Sequence, residues 1–430
     1  MRRLWVLSGL VGLSGLAVAA PPPPTSFRVT VAAGPHDRRQ VPVRVPVEVP
    51  AVWHLVTAAT VVGPEGQALV GQLVSPSLLA PARAAAKGYV ARELWFVVPA
   101  LAAGASAAYT VTVPGKAPRG PAFRWRQQPA DYWELRYGDR PVLRYQDAPY
   151  DPSSPAARNR TFKVFHHLFD PTGQVLVTKG PGGLYTHHRG LLYGFMKVTY
   201  GTGHVVDIWH CKGDTHQQAG GVLDVAEGPV LGRQRVLVEW RGDGQELFAK
   251  EEREVTVYQT PGGTLLDFAS RLRSVHGVVR VDGDPQHAGF HFRAAQDDPK
   301  ETDEKKINAA EQTYFLRPDG QGKIGQTRNW PGQKTHVNLP WDAMSFQLGA
   351  QRYTVAYLDR PGNPKEARFS ERAYGRFGSY FVAECDEQKP LDVAYRIWLQ
   401  AGDMQGDAVQ RLDTDFVEPP VVAVEGGPSS

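Results

Sequence analysis

Arg235-Val236-Leu237-Val238-Glu239-Trp240 reads as a β-strand, with charged and apolar residues alternating at its ends and an apolar middle. Working outward, the same kind of run recurs at Tyr132–Tyr137, Val142–Tyr145, Glu254–Tyr258, Thr264–Leu272 and Leu391–Leu399. The 430 residues include 44 glycines and 35 prolines, an excess that punctuates the chain too often for long helices. Roughly three hundred residues of strands without helical periodicity predict an all-β protein whose main body, 122–417, is one large antiparallel β-sandwich.

A second unit precedes it. Phe27–Val31, Val41–Val47, Glu93–Val98 and Ala108–Val113 alternate over about ninety residues and predict a small immunoglobulin-like β-sandwich at 27–116. Prolines inside Val41–Val47 make that run an edge strand. Residues 82–87 hint at a short helix. Pro114 to Pro121 is the boundary between the units. The first twenty residues predict an export signal: Arg2 and Arg3, an apolar run from Leu4 to Leu16, then Ala17-Val18-Ala19 as a cleavage site. The mature chain would begin near Pro21 and work in the periplasm or outside the cell. No cysteine follows the cleavage site, which argues against a lipid anchor, and no later stretch is apolar enough to span a membrane. Residues 418–430 are expected to be a disordered tail, and the charged run Asp297 to Lys306 a solvated loop. A net charge of +4 with dispersed lysines and arginines leaves no nucleic-acid footprint.

Chemistry concentrates in one region. Ten of the thirteen histidines lie between His166 and His291, most densely in Tyr185-Thr186-His187-His188-Arg189-Gly190. Imidazole changes charge near neutral pH, which suits proton transfer and metal binding. Gly180-Pro181-Gly182-Gly183 places the histidine pair in a loop, where both rings can face one pocket. In Asp207-Ile208-Trp209, alternation would set a carboxylate and an indole on one face, a pairing that suits a sugar ring; a capped turn with a core tryptophan explains the same residues. His287, Gly289, His291 and Arg293 share a face by the same argument. His187, His188 and His204 are a possible metal set, although no zincin spacing or CxxC motif occurs. Serine-nucleophile elbows, phosphate loops and dinucleotide fingerprints are absent. Cys211 and Cys385 either pair in the oxidising exterior or serve as two buried thiols.

His187-His188-Arg189-Gly190-Leu191-Leu192-Tyr193-Gly194 and Asp207-Ile208-Trp209 resemble a secreted bacterial family labelled methane oxygenase PmoA. Phe290-His291-Phe292-Arg293, Asp359-Arg360-Pro361-Gly362-Asn363-Pro364 and Arg372-Ala373-Tyr374-Gly375 follow in the family's order, and the resemblance spans about Arg144 to Gly402. It implies a galactose-mutarotase-like supersandwich of the kind used by carbohydrate-active proteins. The chain departs from the family at Lys197-Val198-Thr199-Tyr200-Gly201, where an acidic residue and an Asn-Gly turn are usual. It also has Pro361-Gly362-Asn363-Pro364 where the family has Pro-Ser-Asn-Pro.

Together these observations predict a secreted carbohydrate-active protein performing acid/base chemistry on a glycan or sugar. His188 is the expected acid/base and Asp207 the opposing carboxylate, with His187, Arg189, His291, Arg293, Asn363 and Arg372 binding substrate and Trp209 and Tyr374 forming a stacking wall. A hydrolase needs two carboxylates, for which Asp207 and Asp359 are the expected pair; a lyase or epimerase needs one acid and one base. A non-catalytic glycan-binding module and a metal-dependent enzyme are the alternatives. No cofactor is required by the first reading, and the partner is a carbohydrate or another polar small molecule.

Overall fold

The strand runs fold as their periodicity dictates. The computed structural model describes residues 23–116, 119–128 and 132–426; the export signal expected at residues 1–20 lies outside the described residues. The Arg235–Trp240 run belongs to strand Leu231–Arg241, whose alternate residues Val236, Val238 and Trp240 are buried. It sits second in a nine-stranded antiparallel sheet between His216–Ala226 and Leu247–Tyr258, followed by Thr264–Ser274, Leu391–Ala401 and Gln351–Asp359. An eight-stranded sheet contributes Ala288–Arg293, Leu191–Phe195, Arg376–Tyr380 and Arg368–Arg372, among others. One continuous core holds Tyr193, Phe195, Phe290 and Phe292 from this second sheet with Trp240, Phe268 and Tyr395 from the first, so the body is an antiparallel β-sandwich.

The amino-terminal unit is a seven-stranded antiparallel sheet around a separate core of Val29, Val43, Val45, Val61, Leu94 and Phe96. Strand Arg38–Pro50, prolines included, lies at its edge. Its opposite edge is not amino-terminal at all. Val421–Glu425, expected within a disordered tail, pairs with Thr25–Ala32 in five-residue register and covers that strand's open hydrogen-bonding edge. Two further expectations change. Residues 82–87 form no helix, because six residues after Pro81 cannot offset the cost of nucleation. The charged run at 297–306 instead leads into helix Glu304–Glu311, capped by the Asp303 side chain on the Lys305 amide.

Candidate functional site

Two Asp-x-x-His turns build the site. Asp207 opens a tight turn at residues 207–211: its Oδ1 accepts the Trp209 and His210 amides at 3.0 and 2.8 Å, and its Oδ2 holds His210 Nδ1 at 2.7 Å. Asp284 repeats the device, accepting the Gln286 amide at 2.8 Å and gripping His287 Nδ1 with both oxygens at 3.0 Å. Burial alone would raise both carboxyl groups, but hydrogen bonds from the histidine rings and from the backbone hold each below the usual carboxylate range. A carboxylate on Nδ1 makes that nitrogen the donor and leaves Nε2 free to act.

The rings form a line. His188 meets His187 at 4.2 Å between centroids, His187 meets His210 at 4.4 Å, and His210 meets His287 at 4.9 Å. His187 Nε2 and His188 Nδ1 are buried atoms with no hydrogen-bond partner. Burial pushes both rings far below the ordinary histidine range, and neighbouring cations, Lys163 among them, add to it. They are therefore neutral at pH 7. Burial likewise lowers Lys163 to about 8; its ammonium lies over the Trp209 ring and donates to the Trp209 carbonyl.

The loop that carries His187 is held from below. Gly190 ends it at φ +50°, and a Cβ there would lie 2.0 Å from the His166 carbonyl oxygen, so no larger residue fits. The rings of His187 and His210 line an open cavity of about 470 Å³, walled by Arg158, Asn159 and Phe162 around the helix Pro155–Thr161. Tyr185, 41% exposed, lies 5.4 Å from the His188 ring and 5.1 Å from Tyr374.

Several expected site residues hold the scaffold instead. Residues 207–211 are a turn, so alternation does not apply, and Trp209 is a fully buried core residue, not a stacking wall. Its indole donates to His188 Nε2 at 3.2 Å, which removes His188 from the cavity's chemistry and makes it a positioning residue. Arg189 is buried and donates to the carbonyls of Thr186, Asn159 and Arg160, where the helix Pro155–Thr161 ends. Arg293 is buried against Tyr374, Gln296 and Glu311. Asp359 is buried by Lys365 at 2.9 Å and Asn363 at 2.5 Å, and Asn363 is spent on the Ala394 backbone; no bond links either to the histidines. The Asp207–Asp359 carboxylate pair therefore does not form. His204 is exposed and stacks on Tyr200, apart from His187 and His188, so that metal trio does not assemble. Cys211 and Cys385 are free buried thiols.

His291 and Tyr374, expected at the substrate, are buried as well, with His291 Nε2 held to the Ala288 carbonyl at 2.8 Å. Phe290 and Phe292 enter the core while His291 turns to the Trp209 edge at 5.0 Å. His291 Nδ1 accepts from Arg376 at 3.0 Å, and Arg376 Nε reaches the Tyr374 hydroxyl at 3.2 Å. Tyr374 is buried. Arg372 is half-buried, forms no ion pair among the described residues, and stands beside Tyr185 and Tyr374. The residues missed as an acid/base group are His210, His287 and Asp284. Their signal was present in the repeated Asp-x-x-His spacing, in which an aspartate that caps a turn also reaches the ring three residues on.

A family model described as a family of unknown function, DUF6807, matches residues 132–413. The chain belongs to that family. No curated protein matches it. Among solved structures it is similar to a glycosyl hydrolase family 38 protein from Enterococcus faecalis, at 10% identity and TM-score 0.46, over 93% of this chain and 47% of that one. An alpha-mannosidase from Enterococcus faecalis V583 follows at 9% identity and TM-score 0.43, over 94% and 46%. A galactose mutarotase related enzyme from Lactobacillus acidophilus gives 8% identity and TM-score 0.24, over 66% and 98%. The chain spans about half the length of the first two.

Proposed function

We propose that this protein is a carbohydrate-active enzyme that moves a proton on or off a sugar, as a lyase or an epimerase does. The observation that carries the reading is the Asp207–His210 pair opening on the 470 Å³ cavity, with the Asp284–His287 pair in ring contact beside it. His210 is the acid/base, oriented by Asp207. His287, oriented by Asp284 and partly exposed, is the second proton-transfer group; His187, neutral and with Nε2 buried, packs against the His210 ring and positions it. Arg158, which lines the cavity, supplies a cationic contact of the kind a sugar takes, and Tyr185 stands exposed beside His187 and His188. A carboxylate-pair hydrolase is disfavoured because Asp207 and Asp284 are both committed to histidines and Asp359 to Lys365. The resemblance to the PmoA-labelled family supports the substrate class, and the Arg2–Ala19 pattern supports export; sequencing the amino terminus of protein recovered outside the cytoplasm tests the latter.

The test is solvent exchange. Wild-type protein is incubated in D₂O with mono- and oligosaccharides, uronic acids included, and carbon-bound deuterium and unsaturated products are followed by NMR. Deuterium incorporation that falls by roughly two or more decades in His210→Gln supports the reading. A sugar-dependent rise in melting temperature with no exchange or product identifies a binding module instead. Neither response to any sugar removes the carbohydrate class.

A further inference from the structure

A second cluster lies away from the histidine cavity. His336, Asp342 and Glu371 are each buried, and one ligand atom from each lies within 4.8 Å of the others. They come from three separate elements. Asp342 is on Trp341–Leu348 in the nine-stranded sheet, Glu371 is on edge strand Arg368–Arg372 of the eight-stranded sheet, and His336 is on the loop between residues 322 and 340.

The polar accounting does not close with protein groups alone. Both oxygens of Asp342 are buried without a hydrogen-bond partner, and so is His336 Nε2, which lies 3.3 Å from Glu371 Oε1. Glu371 is gripped by Arg317, with Nε at 2.6 Å from Oε1, and accepts the Arg328 amide at 3.1 Å. Glu371 is paired with Arg317 while Asp342 has no such partner, and a buried carboxyl group left without one is costly. Three atoms so spaced share a point no more than about 2.8 Å from each, so a contraction of roughly 0.6–0.8 Å brings all three to the roughly 2.0–2.2 Å of zinc bonds to nitrogen and oxygen.

We propose that His336, Asp342 and Glu371 hold one divalent transition-metal cation, of the zinc or manganese class, that ties the two sheets and the 322–340 loop together. An imidazole with two carboxylates is a donor set those ions accept. Such a cation would satisfy Asp342 and His336 Nε2 at once. It would also fix the edge strand Arg368–Arg372, without entering the cavity chemistry.

The experiment uses the full chain, stripped with a chelator, dialysed, and titrated with zinc or manganese alone while metal content and melting temperature are read. About one tightly bound equivalent and a melting temperature that rises and saturates with it are expected. Asp342→Asn and His336→Ala should lose both responses, while His187→Gln keeps them. No bound metal in wild type, or metal lost in His187→Gln but retained in Asp342→Asn, overturns the proposal. If Asp342→Asn does not fold, anomalous scattering from wild-type crystals soaked in zinc decides it: a peak between these three side chains supports the site, and a peak only at the histidine line, or none, refutes it.

Discussion

Asp207→Asn separates orientation from packing at the proposed acid/base. Asparagine keeps an oxygen that can accept the Trp209 and His210 amides, so the 207–211 turn should survive. It cannot accept from His210 Nδ1 with an NH₂ group at the Oδ2 position, so the 2.7 Å bond is lost and the ring is free to take the opposite tautomer. One charge-assisted hydrogen bond in a partly exposed pair predicts a stability loss of about 1 kcal/mol, read by urea denaturation. Proton transfer should fall by about two to four decades. Asp207→Ala also removes both amide contacts and should cost a further ~1–3 kcal/mol. The pH dependence has a definite sign. Asp207 is held below its ordinary range in the folded state, so its contribution is present above the unfolded carboxylate pKa and fades as pH falls through the folded one; Asp207→Asn should flatten that acid limb. The direct assay is ¹⁵N NMR of the His210 ring. Unchanged tautomer signals in Asp207→Asn, with exchange activity within a few-fold of wild type, would refute the oriented-imidazole argument.

His166, His167, His187, His188 and His291 are all pushed down, by burial first, so the unfolded chain binds more protons below its ordinary histidine pKa. Stability should therefore drop as pH falls from about 6.5 toward 5, and urea midpoints that stay level across that window would contradict the neutral-imidazole assignment. Trp209→Ala should destabilise the fold by about 3–5 kcal/mol, as for a core aromatic, whereas a stacking-wall tryptophan would change only ligand affinity; calorimetry distinguishes the two. Ending the chain after Pro420 exposes the edge of Thr25–Ala32 and should promote self-association, seen by light scattering. Burial raises both thiols, Cys385 to about 11, so neither should label before unfolding and reductant should not move the melting temperature.

Alternation along Arg235–Trp240 and Thr264–Leu272 was enough to read strands and their buried faces, because a strand in a two-sheet core has one periodicity and little choice of face. The helix Gly406–Val417 was not legible: it buries Val409 and Asp413 on only one side and lacks a side-chain cap. The site divided along the same line. The concentration of histidines was local and visible, and so was the spacing of Asp207 to His210. Which ring meets solvent was not, because His187 and His188 are adjacent in the chain and only Trp209, arriving from another turn, takes one of them inward. Asp359 and Asp207 looked equivalent as residue types; Lys365 and Asn363 neutralise and bury one, while His210 commits the other to orienting a ring. Local pattern determined the strands, the turns and the region of chemistry. Tertiary packing alone decided which polar groups were paired off in the scaffold and which were left facing a cavity, since desolvation and partner choice depend on segments far apart in the chain.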